Sequence, residues 1–355
     1  MKICYFGMYA ARYSRNRVII KGLRQNSVEV IECNDRSHLF FGGRYFKLLK
    51  KFFSLSGHHA DIIFVGFPGQ TDVPLAWFLG KLFHKKVVFD AFFSLYVSQV
   101  FDRKHVTEKS LMAKVYFFVD WLSCVLSDKI ILDTNTHIDY FVQTFRIPKK
   151  KFARVFVGTD SDIFIPQKLA GHTGFVAGWH GSFLPLQGVP VILKAAKLLK
   201  NKKITFRLLG NGLKLAECLQ MARDYKLDNV EFFKEVPYEK LPDFIANTDV
   251  YLGGHFADSL KSKLVIPNKV YESMAMQKPV IVGDCEAARE LFTDKVDCLL
   301  IKQGNPKELA KAILNLKKDQ VLRDKISLGG YNLVAKRLSP IQVTKSLVSL
   351  LKDST

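Results

Sequence analysis

Short apolar runs alternate along the chain with longer stretches in which apolar residues recur every three or four positions. In the first half the runs fall at 3–6, 28–32, 61–66, 87–89, 129–132 and 152–157. In the second they open at Phe175 and fall at 204–209, 229–234, 249–253, 280–282 and 296–301. Runs this short, with Gly, Pro, Asn or Asp nearby, read as buried strands. The helical spacing between them predicts an α/β architecture with parallel sheets. Helices are expected from about Val18, over 189–199, over 307–316 and over 340–351. The stretch 160–173, with Pro166 and Gly171, reads as a linker between two domains.

The stretch 262–292, SKLVIPNKVYESMAMQKPVIVGDCEAARELF, concentrates candidate chemistry. Pro267 and Asn268 stand where a helix begins, and Asn is a good N-cap residue. Val270, Met274 and Ala275 form an apolar face, with Glu272 on another. Lys278-Pro279 ends the helix before a short strand. The free N–H groups and dipole of a helix start attract anions, and Lys269 adds a full positive charge. Glu272, one turn in, can accept hydrogen bonds from a diol. A diphosphate joined to a ribose needs both kinds of group. Elsewhere, Gly210 in Gly210-Asn211-Gly212 allows close backbone approach to a nucleotide, although Asn-Gly is also an ordinary turn pair.

Tyr271-Glu272-Ser273-Met274-Ala275, followed by Lys278-Pro279 and a strand, resembles the donor-sugar site of GT-B glycosyltransferases, family 4 in particular. The resemblance covers the second half well and the first half loosely. In that family a helix glutamate matching Glu272 binds ribose; the glutamate eight positions earlier is replaced here by Leu264. The loop Gly178-Trp179-His180-Gly181 also resembles the family's glycine turn. The basic pair expected after it is replaced near Ser182 and at Gln187, which keep neutral hydrogen-bonding capacity. Lys269, Lys261, Lys263 and Arg289 are candidates to supply the missing charge. The stretch around Val236 resembles the segment that holds the base. The donor site implied is thus Ser182, Gln187, Gly210, Val236, Pro267, Asn268, Lys269 and Glu272.

The same resemblance implies a GT-B fold: two Rossmann-like domains facing an interdomain cleft. An acceptor domain would span 1–162 and a nucleotide-sugar domain 172–337, with a terminal helix from about 338 crossing back onto the first. In the first domain, Arg15 and Asn16 stand in a loop that touches acceptor or phosphate in such enzymes. They read equally as a helix cap and a solvated arginine. Asp90 ends a parallel strand, where α/β sheets place ligands. It is either a group that orients or deprotonates an acceptor hydroxyl or a helix N-cap. His137 reads as structural.

Composition narrows the partners. A formal charge of +20 suits anionic ones. Between 36 and 60, Arg36, Arg44, Lys47, Lys50 and Lys51 meet no acidic residue. Phe41, Tyr45, Leu48, Leu49 and Phe52 recur there at helical spacing. This is either a basic helix for an anionic membrane surface or an ordinary helix packed on the sheet. The apolar stretch 114–126 reads as core. Six cysteines without CxxC pairs argue against a zinc site or disulfide framework and for a cytoplasmic location. No signal peptide or membrane-spanning run is visible. The expected function is transfer of a sugar from a nucleotide-diphosphate donor to a hydroxyl of a glycan or lipid-linked acceptor. It should be retaining and free of metal and cofactor, without nucleic acid as a partner. A sugar-nucleotide epimerase, an inactive transferase-like protein and a nucleic-acid-binding protein are the alternatives.

Overall fold

The computed structural model describes residues 1–36, 41–167, 171 and 173–352. Residues 168–170 and 172 of the expected linker, and 37–40 of the basic stretch, lie outside the described residues. The chain divides into two compact units. Unit 1 is Met1–Gly158 with the segment from Leu338 onward, and unit 2 is Thr159–Arg337.

Unit 1 holds the strands β1 (Lys2–Gly7), β2 (Glu29–Asn34), β3 (Ile62–Val65), β4 (Lys86–Asp90), β5 (Lys129–Leu132) and β6 (Phe152–Arg154). They form one parallel sheet in the order β2-β1-β3-β4-β5-β6. Unit 2 holds β7 (Phe175–His180), β8 (Ile204–Leu209), β9 (Val230–Phe233), β10 (Val250–Gly254), β11 (Val280–Asp284) and β12 (Leu299–Lys302). Their order is β12-β11-β10-β7-β8-β9, again parallel. Each sheet is doubly wound. The chain reverses its winding between β1 and β3 in unit 1, and between β7 and β10 in unit 2. In open α/β sheets ligands sit beyond the strands' C-terminal ends at such points.

Burial explains why the strands carry unbroken apolar runs. Helices cover both faces of a parallel sheet, so both sides of a strand are inside. One face of the first sheet packs on the helices Phe41–Ser54, Val73–Leu82, Leu111–Leu126 and Asn135–Phe145, through a core that includes Phe52, Leu79, Cys124 and Phe141. Leu48 and Phe52 of helix Phe41–Ser54 are fully buried, so that basic helix is packed on the sheet. The expectation of 114–126 as core is corrected in part, because Val115, Phe118 and Val125 are exposed.

The helix Ser14–Gln25 contacts the terminal helix Pro340–Lys352. A Cβ on Gly22 would stand 2.1 Å from the Pro340 carbonyl oxygen, so a side chain there would separate the helices. Asn26 Nδ2 ties the pair by donating to Thr344 Oγ1 and to the Ile341 carbonyl, both at 2.9 Å.

Helix Gln320–Arg337 was not expected from the sequence. Its Gly329-Gly330 pair allows close packing. A Cβ at Gly329 would meet the Val296 carbonyl at 2.0 Å, and one at Gly330 would meet Met274 Cγ at 3.0 Å. No helix among the described residues is long and apolar enough to cross a membrane.

Candidate functional site

The switch point of unit 2 gathers side chains from four places: the end of β7, the first half of β10, the helix Asn268–Ala275 and the short 3-10 helix Tyr238–Lys240. Glu272 is 3 % exposed. Its Oε2 lies 2.9 Å from His180 Nε2, and its Oε1 accepts from the Tyr238 hydroxyl at 3.2 Å. His180 Nδ1 bonds the Tyr251 hydroxyl. The network is satisfied when Nε2 carries the proton, donating to the carboxylate while Nδ1 accepts from Tyr251. Gly178 is one condition for this arrangement. A Cβ there would come within 3.2 Å of the Tyr251 ring and 2.3 Å of Thr248 Cγ2.

Lys269 lies one turn before Glu272 on the same helix. Its Nζ donates to Gln187 Oε1 and stands 5.0 Å from the centroid of the Trp179 ring. Burial pushes its pKa down to about 7, against a partial counter-effect from Glu272. A buried lysine short of compensation gains from an incoming anion. Gly181 leaves room for it, since a Cβ there would sit 3.1 Å from Nζ. Behind Lys269, burial and the charges of Lys269 and Lys261 hold His255 well below the usual histidine range. Among the described residues its Nδ1 has no hydrogen-bond partner.

The start of the helix differs from expectation. Pro267 is the N-cap, with no side-chain cap bond, and Asn268 is the first helical residue. Val270 N–H bonds the Pro267 carbonyl at 3.0 Å. The N–H groups of Asn268 and Lys269 have no carbonyl one turn earlier to meet. Residues 269–275 are all buried, so Glu272 is no solvated helix carboxylate.

Other expected donor residues fall in less direct positions. Ser182 is exposed on the loop after β7, and Val236 is exposed two residues before Tyr238. Gly210 lies against a neighbouring loop. Its Cβ would meet the Gly181 carbonyl at 2.0 Å, so the close approach it permits is between two loops of the protein. Gly181 N–H bonds the Leu209 carbonyl at 3.0 Å, and Phe183 N–H bonds that of Asn211 at 2.8 Å. Among the candidates to replace the missing basic pair, Lys263 pairs with Asp258 at 2.7 Å and Arg289 with Asp284 at 2.6 Å, all at least partly exposed. Lys269 is the buried one. Leu264 is 5 % exposed on a short helix capped by Ser259.

The three residues assigned to acceptor chemistry occupy the interior of unit 1. Arg15 and Asp90 are each fully buried and form an ion pair at 2.7 Å. Arg15 also donates to the Val155 carbonyl at 3.0 Å, and its guanidinium lies over the Phe92 ring. Asn16 accepts from the Tyr5 hydroxyl at 2.9 Å and donates to the Phe67 carbonyl at 2.6 Å. These bonds hold β1, β4 and the loop after β3 together. In this structure Asp90 is therefore a counter-ion for Arg15, neither exposed base nor helix cap. Arg15 and Asn16 are bracing groups. His137 bonds Asp133 at 2.9 Å inside unit 1, a structural arrangement.

Sequence reading missed His180, Tyr238 and Tyr251. His180 carried a usable signal, as the last residue of a strand in a parallel sheet. Tyr251 carried none, because its position depends on the pairing of β10 with β7, which sets Gly178 opposite Tyr251 from a distant part of the chain.

Known proteins bear on this geometry in two ways. Among solved structures, HepE of Anabaena in complex with UDP and glucose superposes with a TM-score of 0.77, over 99 % of each chain, at 16 % identity. The fold is thus GT-B. Among curated proteins, the lipopolysaccharide core biosynthesis glycosyltransferase LpsD of Rhizobium meliloti is 25 % identical over 206 residues. An uncharacterized glycosyltransferase of Methanocaldococcus jannaschii is 26 % identical over 148 residues. These matches take in 57 % and 40 % of this chain, and 53 % and 36 % of the relatives. The chain thus matches about half the length of these relatives or less. Within unit 2, residues 160–332 match the family model described as glycosyl transferases group 1.

Proposed function

We propose that the protein is a glycosyltransferase that takes a sugar from a nucleoside-diphosphate donor bound at the switch point of unit 2. The acceptor is a hydroxyl of a glycan or lipid-linked molecule, received by unit 1 with its returning terminal helix. The observation that carries this reading is the pairing of Glu272 with Lys269. A carboxylate suited to a ribose diol and a buried ammonium suited to phosphate stand one helical turn apart. The match of 160–332 to the group 1 model supports it. The UDP in the HepE complex favours uridine as the base.

In this reading Lys269 and the N–H groups of Asn268 and Lys269 meet the charge that develops on the leaving diphosphate. Such preorganised donors act as an oxyanion hole does. Glu272 fixes the pentose, exchanging its bond from Tyr238 or His180 for ribose hydroxyls. Retention of configuration, independence from a divalent ion and a cytoplasmic site of action complete the proposal. The six free cysteines suit a reducing compartment.

The test is a thermal-shift screen with UDP, GDP, ADP and their sugars on the wild type and on Glu272→Ala. Ligand that binds only the native state raises the melting temperature. UDP and UDP-sugars should stabilise the wild type, and the variant should lose most of that shift. A wild type indifferent to all three nucleotides would overturn the proposal.

A further inference from the structure

The outer helical layer of unit 1 carries one helix turned against the usual pattern. In Leu111–Leu126 the buried residues are Ala113, Asp120, Ser123 and Cys124. Leu111 is 77 % exposed, Phe118 is 53 % exposed, and Val115 and Val125 are exposed as well. These four lie on one stripe of the helix. The orientation is fixed from inside. Asp120 accepts from the Ser94 hydroxyl at 2.6 Å and from the N–H groups of Leu95 and Tyr96 at 3.1 and 2.9 Å. Ser123 Oγ donates to the Gln70 carbonyl at 2.9 Å. Rotating the helix to bury its apolar stripe would break all four bonds.

The stripe does not stand alone. The adjacent helix Val73–Leu82 exposes Trp77, Phe78 and Leu82. Beyond it, Phe53 packs against Phe83 at 5.8 Å, and Phe46 is 69 % exposed. Exposed large apolar side chains gathered on neighbouring helices mark an interaction site.

Charge identifies the occupant. Of the carboxylates between 41 and 126, Asp72, Asp90, Asp102 and Asp120 are buried, leaving Asp61 and Glu108 exposed. Lys47, Lys50, Lys81, Lys86, Lys109 and Lys114 are all exposed. Next to Trp77, at the N-terminal end of β4, is a pocket of about 240 Å³ lined by Lys81, His84, Lys85 and Lys86. Its one carboxylate, Asp128, accepts from the Val87 N–H at 2.8 Å. The pocket opens at the N-terminal ends of β4 and β5, opposite the C-terminal strand ends, so it is remote from the switch-point crevice of its own unit. Basic side chains around a headgroup-sized hollow, beside an exposed tryptophan and an apolar stripe, match the layered chemistry of an anionic bilayer surface.

We propose that this face docks on a membrane containing anionic lipid. Trp77, Phe78 and Phe118 enter the interface, and Lys81, Lys85 and Lys86 receive a lipid phosphate. The inference uses unit 1 residues alone and stands whether or not unit 2 binds a nucleotide sugar.

The test is co-sedimentation of the full chain with vesicles of phosphatidylcholine, alone or mixed with phosphatidylglycerol. Binding to the mixed vesicles should be tighter by roughly tenfold or more, with a blue shift of tryptophan emission. Phe78→Ser/Phe118→Ser and Lys85→Gln/Lys86→Gln should each lose about tenfold while keeping the wild-type melting temperature. Equal binding to both vesicle types, or binding untouched by either double variant, would overturn the proposal. So would a concentration-dependent dimer that Phe78→Ser/Phe118→Ser dissolves, since the face would then join two copies. Quenching of tryptophan emission by inorganic phosphate without vesicle binding would make the pocket a site for soluble anions and equally overturn it. Loss of vesicle binding with an intact nucleotide response counts against this inference alone.

Discussion

Two buried carboxylates, one in each unit, stand near strand ends or a switch point and have opposite surroundings. Asp90 meets a guanidinium that it neutralises, and both partners are closed off from solvent. Glu272 meets the His180 ring and a tyrosine hydroxyl, while the nearby ammonium of Lys269 bonds a neutral amide. The first arrangement cancels its charges, and Arg15 is held further by the Val155 carbonyl. The second keeps an acid and a base on one helix without joining them. An ion pair that has closed on itself braces a fold, whereas charges held apart keep their affinity for a third party.

The strongest challenge to that contrast is Arg15→Met. It strands the Asp90 carboxylate in an interior that already raises its pKa by burial. Urea unfolding should show a loss of about 3–5 kcal/mol, most of it recovered when Asp90→Asn is added. A loss well below that would mean the pair is solvated after all.

Glu272→Gln should be much gentler. The amide can keep both neighbouring contacts, so folding stability should change by about 1 kcal/mol, while the nucleotide-induced thermal shift largely disappears. If Glu272→Gln unfolds as readily as Arg15→Met, the distinction between the two carboxylates fails.

The smallest effect is a slope. Lys269 titrates near pH 7 in the fold and near its ordinary 10.5 when unfolded. Between those values the unfolded chain binds more protons, so stability contributed by this group rises with pH from about 7 towards 10.5. Lys278, lowered to about 8 by burial, adds the same sign. The difference between wild type and Lys269→Met, from denaturation curves across that window, isolates the first. Diphosphate binding near pH 8 should also take up a proton, read by calorimetry in buffers of different ionisation enthalpy. Equal slopes in wild type and variant would show that Lys269 stays charged.

Much of the architecture was legible because strand burial writes itself as apolar runs, and all twelve runs became strands within a few residues. The chemistry of 262–292 was legible for a related reason. A proline, an amide, a lysine and a glutamate at the start of one helix are local neighbours. What depends on distant chain segments was hidden. Nothing near Asp90 announces that Arg15, from the helix after β1, reaches it, and nothing near Gly329 announces a carbonyl waiting at Val296. Helix Leu111–Leu126 misled because composition alone favours burial. The Ser94 hydroxyl, the Leu95 and Tyr96 N–H groups and the Gln70 carbonyl, supplied from elsewhere, turn its polar side inward.

The return of Pro340–Lys352 to unit 1 has a consequence for biosynthesis. The ribosome delivers the whole of unit 2 before it delivers the helix that covers Gly22 and Asn26. At ordinary elongation rates this interval lasts roughly ten to forty seconds. During that time the nascent amino-terminal half presents an uncovered apolar flank to whatever chaperones attend the tunnel exit, and the later-made half has the first opportunity to finish.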